Sequence, residues 1–419
     1  MTERLFYDDS FLFEFDAQVT EVIPTREGEA RPAAILDRTA FYPTSGGQVF
    51  DTGWIVQVDA SGDGVRCMIV EVTDREDGAI LHFMSDAASL SRGVRVHGKV
   101  DSTRRLDHIQ QHSGQHVLSA AFVRLFNAST VSFHMGDDYC TIDLDTKALA
   151  PEQVKAAERL ANEIILENRP VEIRSVTQEE AQRLGLRKIP TVGRSELRLI
   201  SIQDFDLTAC GGTHVRSTGQ IGCILLRKTE RVRQGVRLEF VCGQRAVATA
   251  RRDYSSLSEA AELCSVHLWD VPQQIRKAQE DVKAAHKSRD RLLEELVEQQ
   301  ALRLVAETPV ENGRRVVMGA FADRDLPFIR LLAQKCTRGT DNVIALLAST
   351  SGPTALVFAQ SPRQPFDMGV LMKEALAKLG GRGGGSRDLA QGGTVESRAV
   401  EPVLAEVREK LRNTVDMKS

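Results

Sequence analysis

The 419-residue chain lacks long apolar runs and an excess of positive charge. No hydrophobic stretch approaches the roughly 20 residues of a transmembrane helix, so we expect no membrane partner. The N-terminal MTERLFYDDSFLFEFDA alternates apolar and acidic residues and does not resemble a signal peptide. Lysine and arginine number 54 against 58 acidic residues, a formal net charge of −4. A nucleic-acid partner would therefore have to be held by local basic patches.

Cysteine and aromatic residues are also scarce. The seven cysteines are an odd number without tight spacing, which argues against a disulfide framework and for a reducing compartment. We therefore expect a cytoplasmic protein. The remaining composition, 42% hydrophobic and 27% charged, is typical of a globular protein, and the length predicts several domains.

The pattern along the chain predicts a multidomain α+β fold with four parts. Short alternating apolar runs broken by turn residues predict a small β-barrel over residues 1–100. Mixed helical and strand patterns predict an α+β domain over 101–250 and a small α/β domain over 313–419. Between them, residues 251–312 are predicted to form a helical arm.

Small and apolar residues recur along this arm with helical spacing, at Ile275, Ala278, Val282, Ala285, Leu292 and Leu296. This pattern is typical of an amphipathic arm or of a seam between two copies. A homodimer through the arm or the C-terminal domain is therefore one hypothesis. The last domain also contains GGRGGGSRDLAQGGT, which predicts a glycine-rich loop.

One short helical stretch, DHIQQHSGQHVLSA, stands out for its histidines. His108, His112 and His116 are four residues apart, so all three lie on one face of the predicted helix. Two imidazoles at i and i+4 are a common way to hold zinc. Taken alone, the pattern is a weak signal for a metal and fits a solvated or hydrogen-bonded histidine face better.

A second stretch, TACGGTHV, makes the zinc interpretation much more specific. Cys210 and His214 flank two glycines and a threonine, and glycine allows a tight turn on which both side chains converge. Two nitrogens from a helix with one sulfur and one nitrogen from a loop form a four-ligand set that suits Zn²⁺. We predict that His112, His116, Cys210 and His214 bind zinc.

These motifs resemble those of the alanyl-tRNA editing proteins, in the free-standing long form with a C-terminal DHHA1-type domain. HSGQH and CGGTH are similar to the two metal half-sites of the editing domain of alanyl-tRNA synthetase. AFYPTSGGQVFDTG resembles the glycine-rich barrel motif of this family, and RQGVRLEFVCGQRA resembles the strand after CGGTH. GGRGGGSRDLAQGGT resembles the signature of the DHHA1-type domain. Because the barrel itself begins near residue 1 and leaves no room before it for an aminoacylation domain, we expect editing without aminoacylation.

The resemblance implies zinc-dependent hydrolysis of the ester that joins serine, or glycine, to tRNA specific for alanine. A synthetase pocket that fits alanine rejects serine and glycine poorly, so a second site that hydrolyses the mischarged product is needed. By the same resemblance, Thr44 would contact the seryl hydroxyl, Gln48 would line the pocket, and His134 would make a polar contact. His108 is either a substrate contact or a polar helix residue, and Asp206 is a candidate carboxylate for orienting a ligating imidazole.

Arginines in basic clusters are the candidate tRNA contacts: Arg104, Arg105, Arg233, Arg382 and Arg387. Those in the glycine-rich stretch are favoured because arginine matches phosphate and glycine allows close approach. The single-stranded 3′ end would enter the zinc pocket.

The mechanism and two other functions stay open at this point. Four protein ligands are typical of structural zinc, so the ion either activates water or holds the substrate. The alternatives to this editing function are a zinc-stabilised tRNA-binding or interaction module without turnover, and editing of serine on tRNA specific for threonine. A phosphoesterase of the DHH class would need aspartate-rich metal motifs, which the sequence does not contain.

Overall fold

The protein is described here by a computed structural model that covers residues 1–24, 31–57, 65–85, 90–184, 186, 196–233, 235–395 and 399–413. The chain divides into two compact units, Met1–Glu259 and Ala260–Ser419. Within the described ranges, no helix combines the length and the apolar character that crossing a membrane requires.

The first unit begins with a closed six-stranded barrel. Its strands and a short neighbouring pair are, in chain order, β1 (Glu3–Arg4), β2 (Glu14–Ile23), β3 (Ala33–Leu36), β4 (Arg38–Thr39), β5 (Gly53–Gln57), β6 (Arg66–Asp74), β7 (Ile80–Met84) and β8 (Arg95–Val100). The barrel closes in the order β2-β3-β7-β6-β5-β8, and β1 pairs with β4 in parallel. Phe15, Ala17 and Val19 alternate inward along β2, as a strand with one buried face requires.

The rest of the first unit surrounds one long helix. Its elements are α1 (Ser102–Phe126), β9 (Thr130–Met135), β10 (Cys140–Leu144), α2 (Pro151–Leu166), β11 (Val171–Thr177), α3 (Gln178–Arg183), β12 (Glu196–Ile202), β13 (Asp206–Ala209), β14 (Ile224–Val232), β15 (Gly235–Cys242) and α4 (Gly243–Cys264). The strands form two sheets, in the orders β14-β15-β10-β9 and β11-β12-β13.

Helix α1 runs through the interior of this part. The Asp101 side chain caps its start by accepting from the amides of Thr103 and Arg104, and Asn127 ends it in a left-handed conformation. All residues from 111 to 122 are buried. The polar residues of HSGQH are therefore enclosed by the protein, and they need partners there.

The second unit contains a mixed five-stranded sheet with helices. After the end of α4, its elements are α5 (Val271–Glu307), β16 (Arg315–Phe321), α6 (Leu326–Thr337), β17 (Val343–Ser349), β18 (Thr354–Gln360), α7 (Met368–Lys378), β19 (Arg382–Gly385), β20 (Leu389–Thr394) and α8 (Val400–Asn413). The order is β16-β17-β18-β20-β19; only the β16–β17 pair is parallel. The predicted helical arm is interrupted where α4 ends, at Ser265, which has a φ of 53°.

The stretch predicted as a glycine-rich loop forms the hairpin β19–β20. Its glycines are needed for packing, because a Cβ atom at Gly392 would lie 2.2 Å from the Leu376 side chain of α7 and one at Gly383 would lie 2.6 Å from it. The helix therefore packs directly on the glycine backbone of the hairpin.

The predicted multidomain α+β fold with an N-terminal barrel is confirmed. The four domain boundaries given above stay a prediction.

Candidate metal centre

The structure brings the two half-motifs together. The ligand atoms of His112 and His116 on α1, and of Cys210 and His214 after β13, all lie within 4.8 Å of one another. His112 Nε2 is 3.3 Å from His116 Nε2 and 3.1 Å from Cys210 Sγ. One helix face and a loop about a hundred residues away thus converge on one point.

This arrangement fits a tetrahedral metal ion. Zinc–nitrogen bonds of about 2.0–2.1 Å place two ligating nitrogens about 3.3 Å apart in a tetrahedron, which matches the separation of the two α1 imidazoles. His214 Nε2 is buried and has no hydrogen-bond partner among the described residues, so its lone pair is available to a cation. Three nitrogens and one sulfur are a donor set that zinc prefers.

The electrostatics favour the ligating forms of these side chains. Burial opposes ionisation of the Cys210 thiol, but the electrostatic interactions with the three neighbouring imidazoles, together with a hydrogen bond to His112, outweigh it and lower the pKa of Cys210 well below the usual value. Burial also lowers the pKa of His214 to about 3. A thiolate and a neutral imidazole are the forms that bind a metal ion.

Side chains from distant segments hold the CGGTH loop. Arg198 Nη1 on β12 donates to the carbonyls of Cys210 and Gly212, each at 2.9 Å. Gln48 Nε2 donates to Thr213 Oγ1 at 2.9 Å, and the Thr213 amide donates to Gln48 Oε1 at 3.2 Å. The barrel motif therefore contacts the metal loop through a fully buried amide.

The next residues of the loop are held in the same way. The His214 amide donates to Ser10 Oγ and the Val215 amide to Ser113 Oγ, both at 3.0 Å. A Cβ atom at Gly212 would lie 2.4 Å from the His112 ring, so this position requires glycine for the imidazole to fit. The loop conformation is thus fixed by packing and hydrogen bonds on both sides.

A buried ion pair ties α1 to the barrel motif. The Arg105 guanidinium contacts the Asp51 carboxylate, and both side chains are fully buried. Arg105 Nη1 also donates to the Ser10 carbonyl at 2.9 Å, while Asp51 accepts from the Tyr42 amide at 2.7 Å. These bonds satisfy the two charges and place the start of α1 against the barrel.

A cavity of about 420 Å³ adjoins the metal centre. His112, His116 and Cys210 form one side of it. The remaining wall includes Gly46, Gln115, Thr130, Ser132, Phe133 and Thr208. A ligand in this cavity would lie against an ion held by these side chains, and it would contact several hydroxyl and amide groups.

Of the three residues expected to contact the substrate, none lies in the wall of this cavity. Thr44 is exposed, and its amide donates to the Val72 carbonyl at 3.2 Å. Gln48 is fully buried with both polar atoms of its side chain bonded to Thr213. His134 is exposed opposite Thr141, on the face of β9 away from Phe133, since successive side chains of a strand alternate.

The two further candidates lie close to the metal centre. Asp206 Oδ2 is 3.9 Å from His116 Nδ1, the side of that ring away from the other ligands. His108 is buried, with no partner for its Nδ1 among the described residues. Burial, with the positive charges of Arg104 and Arg245, lowers its pKa to about 3. His108 is therefore neutral near pH 7 and holds an unused polar atom.

The arginines differ in their availability. Arg105 is fully buried in its ion pair with Asp51, so its guanidinium cannot reach a phosphate. Arg104 is half-buried, and its Nε donates to the Phe50 carbonyl at 3.1 Å. Arg233, Arg382 and Arg387 are exposed.

The sequence did not point to Arg198 or Thr130. Arg198 stands in ELRLISI, where alternation predicts only a polar position on a strand. Thr130 belongs to no motif. Their importance comes from tertiary contacts, for which the sequence carries no local signal.

Comparison with known proteins finds matches along most of the chain. Three family profiles match it: "tRNA synthetases class II (A)" over residues 2–104, "Threonyl and Alanyl tRNA synthetase second additional domain" over 197–238, and "DHHA1 domain" over 305–413. Among solved structures, the C-Ala domain of alanyl-tRNA synthetase from Aquifex aeolicus matches 26% of this chain at 23% identity, with a TM-score of 0.24. That structural likeness is too weak to show a shared fold.

Two kinds of relatives match almost the whole of this chain. The alanine–tRNA ligase of Pyrococcus furiosus is 31% identical over 418 residues, which are 98% of this chain but 44% of the ligase. The chain thus spans less than half the length of that enzyme. The alanyl-tRNA editing protein AlaX-L of Pyrococcus horikoshii is 31% identical over 416 residues, 99% of both chains. The chain therefore belongs to the family of the alanyl-tRNA editing protein AlaX-L.

Proposed function

We propose that the protein is a zinc-dependent hydrolase that removes serine, and glycine, from mischarged tRNA specific for alanine. The observation that carries this proposal is the convergence of His112, His116, Cys210 and His214 beside a cavity lined by hydroxyl and amide groups. Membership in the AlaX-L family supports the choice of substrate, since the relative's name assigns it to alanyl-tRNA editing.

The residues of the site have separable tasks in this proposal. His112, His116, Cys210 and His214 would hold zinc, and Asp206 would orient the His116 ring through its Nδ1. Bound there, zinc would supply Lewis-acid charge next to the ester. Cys210 is surrounded by the three imidazoles, so its thiolate is committed to the metal site and is not a nucleophile toward the ester.

The tRNA contacts are part of the proposal as well. Arg104, Arg233, Arg382 and Arg387 remain candidate phosphate contacts, whereas the buried Arg105 is not proposed as one. The RNA would be held mainly through its backbone and shape, and its single-stranded 3′ end would carry the amino acid into the cavity.

A deacylation assay tests the function directly. The purified protein is incubated with seryl-, glycyl- and alanyl-tRNA specific for alanine, and with seryl-tRNA specific for threonine. We expect release of serine and glycine from the alanine tRNA while alanine is retained. Equal release of serine and alanine, or no release at all, would contradict the proposal. Faster release of serine from the threonine tRNA would show that seryl-tRNA specific for threonine is the preferred substrate instead.

A matched pair of cysteine variants tests the site. Cys210→Ala should abolish both zinc binding and deacylation, because it removes the sulfur ligand. Cys264→Ala, which changes a free, half-buried cysteine at the end of α4, should retain both. An active Cys210→Ala protein without zinc would refute the site.

A second candidate function is a zinc-stabilised tRNA-binding module without turnover. The specific observation in its favour is the set of four protein ligands, which zinc commonly uses in structural sites. It predicts that the protein retains seryl-tRNA intact, and that chelation lowers the melting temperature without changing any hydrolysis rate. Turnover in the deacylation assay excludes it.

A further inference from the structure

One phenyl ring borders the cavity beside the metal centre. Phe133 on β9 lines this cavity and is half-buried. It pairs with Ile142 of β10, which belongs to the same buried core as the apolar residues of α1. The Phe133 side chain is therefore on the face of the sheet that packs against α1, with part of its ring in the protein and part at the cavity.

The packed part of this ring is held by three neighbours. Its centroid lies 5.6 Å from that of the His112 ring in a T-shaped contact and 6.5 Å from that of Phe240. A Cβ atom at Gly47 would lie 2.8 Å from Phe133 Cδ1, so the barrel motif approaches the ring closely because this position is glycine. The ring is thus ordered before a ligand arrives, and binding to it costs little conformational entropy.

The cavity has room for more than an amino acid. Its volume of about 420 Å³ is in the range of roughly 300–1,000 Å³ of pockets that enclose drug-sized ligands, which are much larger than a seryl group. In an aminoacyl-tRNA, the ester joins the amino acid to the terminal ribose, and this ribose carries the terminal base. An ester placed against the metal centre therefore brings the terminal base close to the cavity wall.

The chemistry of the wall favours a base at Phe133. Val131, two residues earlier on β9, also lines the cavity, and its apolar side chain is 48% exposed. Among the described residues that line the cavity, there is no lysine or arginine, so a phosphate group has no cationic partner there. Unpaired RNA bases commonly stack on aromatic side chains. The imidazoles of His112 and His116 are assigned to the metal, which leaves the phenyl ring.

We propose that the unpaired base of the 3′-terminal nucleotide stacks on the Phe133 ring, with Val131 at the edge of this base. The inference rests on the proposed deacylation and adds a binding site for the nucleotide end of the substrate. Since every base has a π face, such a contact needs no sequence readout. A stacked base fixes the terminal ribose, and the ester attached to it is then held next to the metal centre.

The test compares two substrates: seryl-tRNA specific for alanine, and the same tRNA with an abasic 3′-terminal nucleotide. The full-length protein and its variants are assayed at equal zinc content. Phe133→Leu removes the ring but keeps an apolar side chain, and it should lower kcat/KM for the normal substrate about tenfold, because stacking is worth roughly 1–3 kcal/mol per base. On the abasic substrate, this variant should stay within about twofold of the unmodified protein. Phe133→Tyr, which retains a ring, should keep most of the activity on the normal substrate.

Phe126→Leu is the matched control, because Phe126 is also half-buried and packs against the same core but does not line the cavity. It should leave kcat/KM for both substrates as in the unmodified protein. Equal losses on both substrates in Phe133→Leu would overturn the proposal, because they would show that the ring only supports His112.

The unmodified protein provides a test that does not depend on any variant. It should deacylate the abasic substrate about tenfold more slowly than the normal one. Equal kcat/KM values for the two substrates would show that the terminal base makes no contact, and the proposal would be overturned. An unmodified protein that releases serine from neither substrate would instead refute the proposed function itself.

Discussion

Replacing Gln48 by alanine should weaken the metal centre without changing any of its four ligand side chains. Gln48 and Thr213 are both fully buried, and two hydrogen bonds of 2.9 and 3.2 Å join them. The variant leaves the Thr213 amide and hydroxyl without these partners, directly before His214 in the chain. The loss acts on the loop that presents the ligands.

The magnitude follows from these bonds. Each neutral hydrogen bond contributes roughly 1 kcal/mol, and a buried polar group left unsatisfied costs roughly 1–3 kcal/mol. We therefore expect the free energy of unfolding of the first unit to fall by about 2–4 kcal/mol. Because partners that orient metal ligands typically affect affinity about 10- to 100-fold, the zinc dissociation constant should rise at least about tenfold.

Urea unfolding and competition with a zinc chelator measure the two effects. The chain has two tryptophans, so a Trp269→Phe background leaves Trp54 of β5 to report on the barrel. Gln110→Ala is the matched control: its side chain also makes two hydrogen bonds, to the Gln220 carbonyl and the Gln244 amide, but in an exposed setting. There water replaces the lost partners, so the cost should stay below about 1 kcal/mol. The reasoning would be refuted if the free energy of unfolding of Gln48→Ala lay within about 0.5 kcal/mol of that of the unmodified protein and the zinc affinity were unchanged.

Three further changes test other parts of the structure. Asp51→Asn should cost about 3–5 kcal/mol in urea unfolding, because it leaves the buried Arg105 charge unpaired; a cost below about 1 kcal/mol would show that the pair is solvated. Burial lowers the pKa of His82 to about 4, below its unfolded value of about 6.5, so the unfolded chain takes up a proton that the folded barrel excludes. Stability should therefore fall by about 1.4 kcal/mol per pH unit from pH 6.5 toward pH 4, and His82→Gln should flatten this slope; an identical pH profile would contradict the assignment. Gly392→Ala should destabilise the second unit by about 1–3 kcal/mol in thermal unfolding, since its Cβ would overlap Leu376 of α7; an unchanged melting temperature would show that the hairpin tolerates the side chain.

The ligand cluster could be predicted from the sequence because two compact motifs carry it. Helical periodicity alone puts His112 and His116 on one face, and two glycines between Cys210 and His214 indicate a tight turn. The barrel was likewise visible as alternating runs separated by turn residues. In each of these cases, the information lies within about ten residues.

The roles of Gln48 and Arg105 were not predictable because their partners are far away in sequence. Arg105 follows another arginine at the start of a helix, where sequence alone indicates a solvated charge, yet it is buried against Asp51. Gln48 lies in a motif that suggests a ligand pocket, but its amide contacts Thr213, 165 residues away. Burial and long-range pairing decide both cases.

Backbone detail accounts for the other differences. Glycine weakens strands, so GGRGGGSRDLAQGGT predicted a loop; close packing of Leu376 instead favours a glycine hairpin. A bulge in β9, where Ser132 pairs with Asp143 and Thr130 with Leu144, puts Thr130 on the face of the strand that lines the cavity. The residue pattern does not indicate this bulge. His134 and Thr44 were assigned by resemblance, and the structure places both as exposed residues.

X-ray absorption at the zinc edge of the purified full-length protein tests the central claim most directly. We expect one zinc per chain, with one sulfur at about 2.3 Å and three nitrogens at about 2.0–2.1 Å, and loss of the sulfur shell in Cys210→Ala. A shell of nitrogen and oxygen alone, or a spectrum that this variant leaves unchanged, would show that helix α1 and the CGGTH loop do not share an ion.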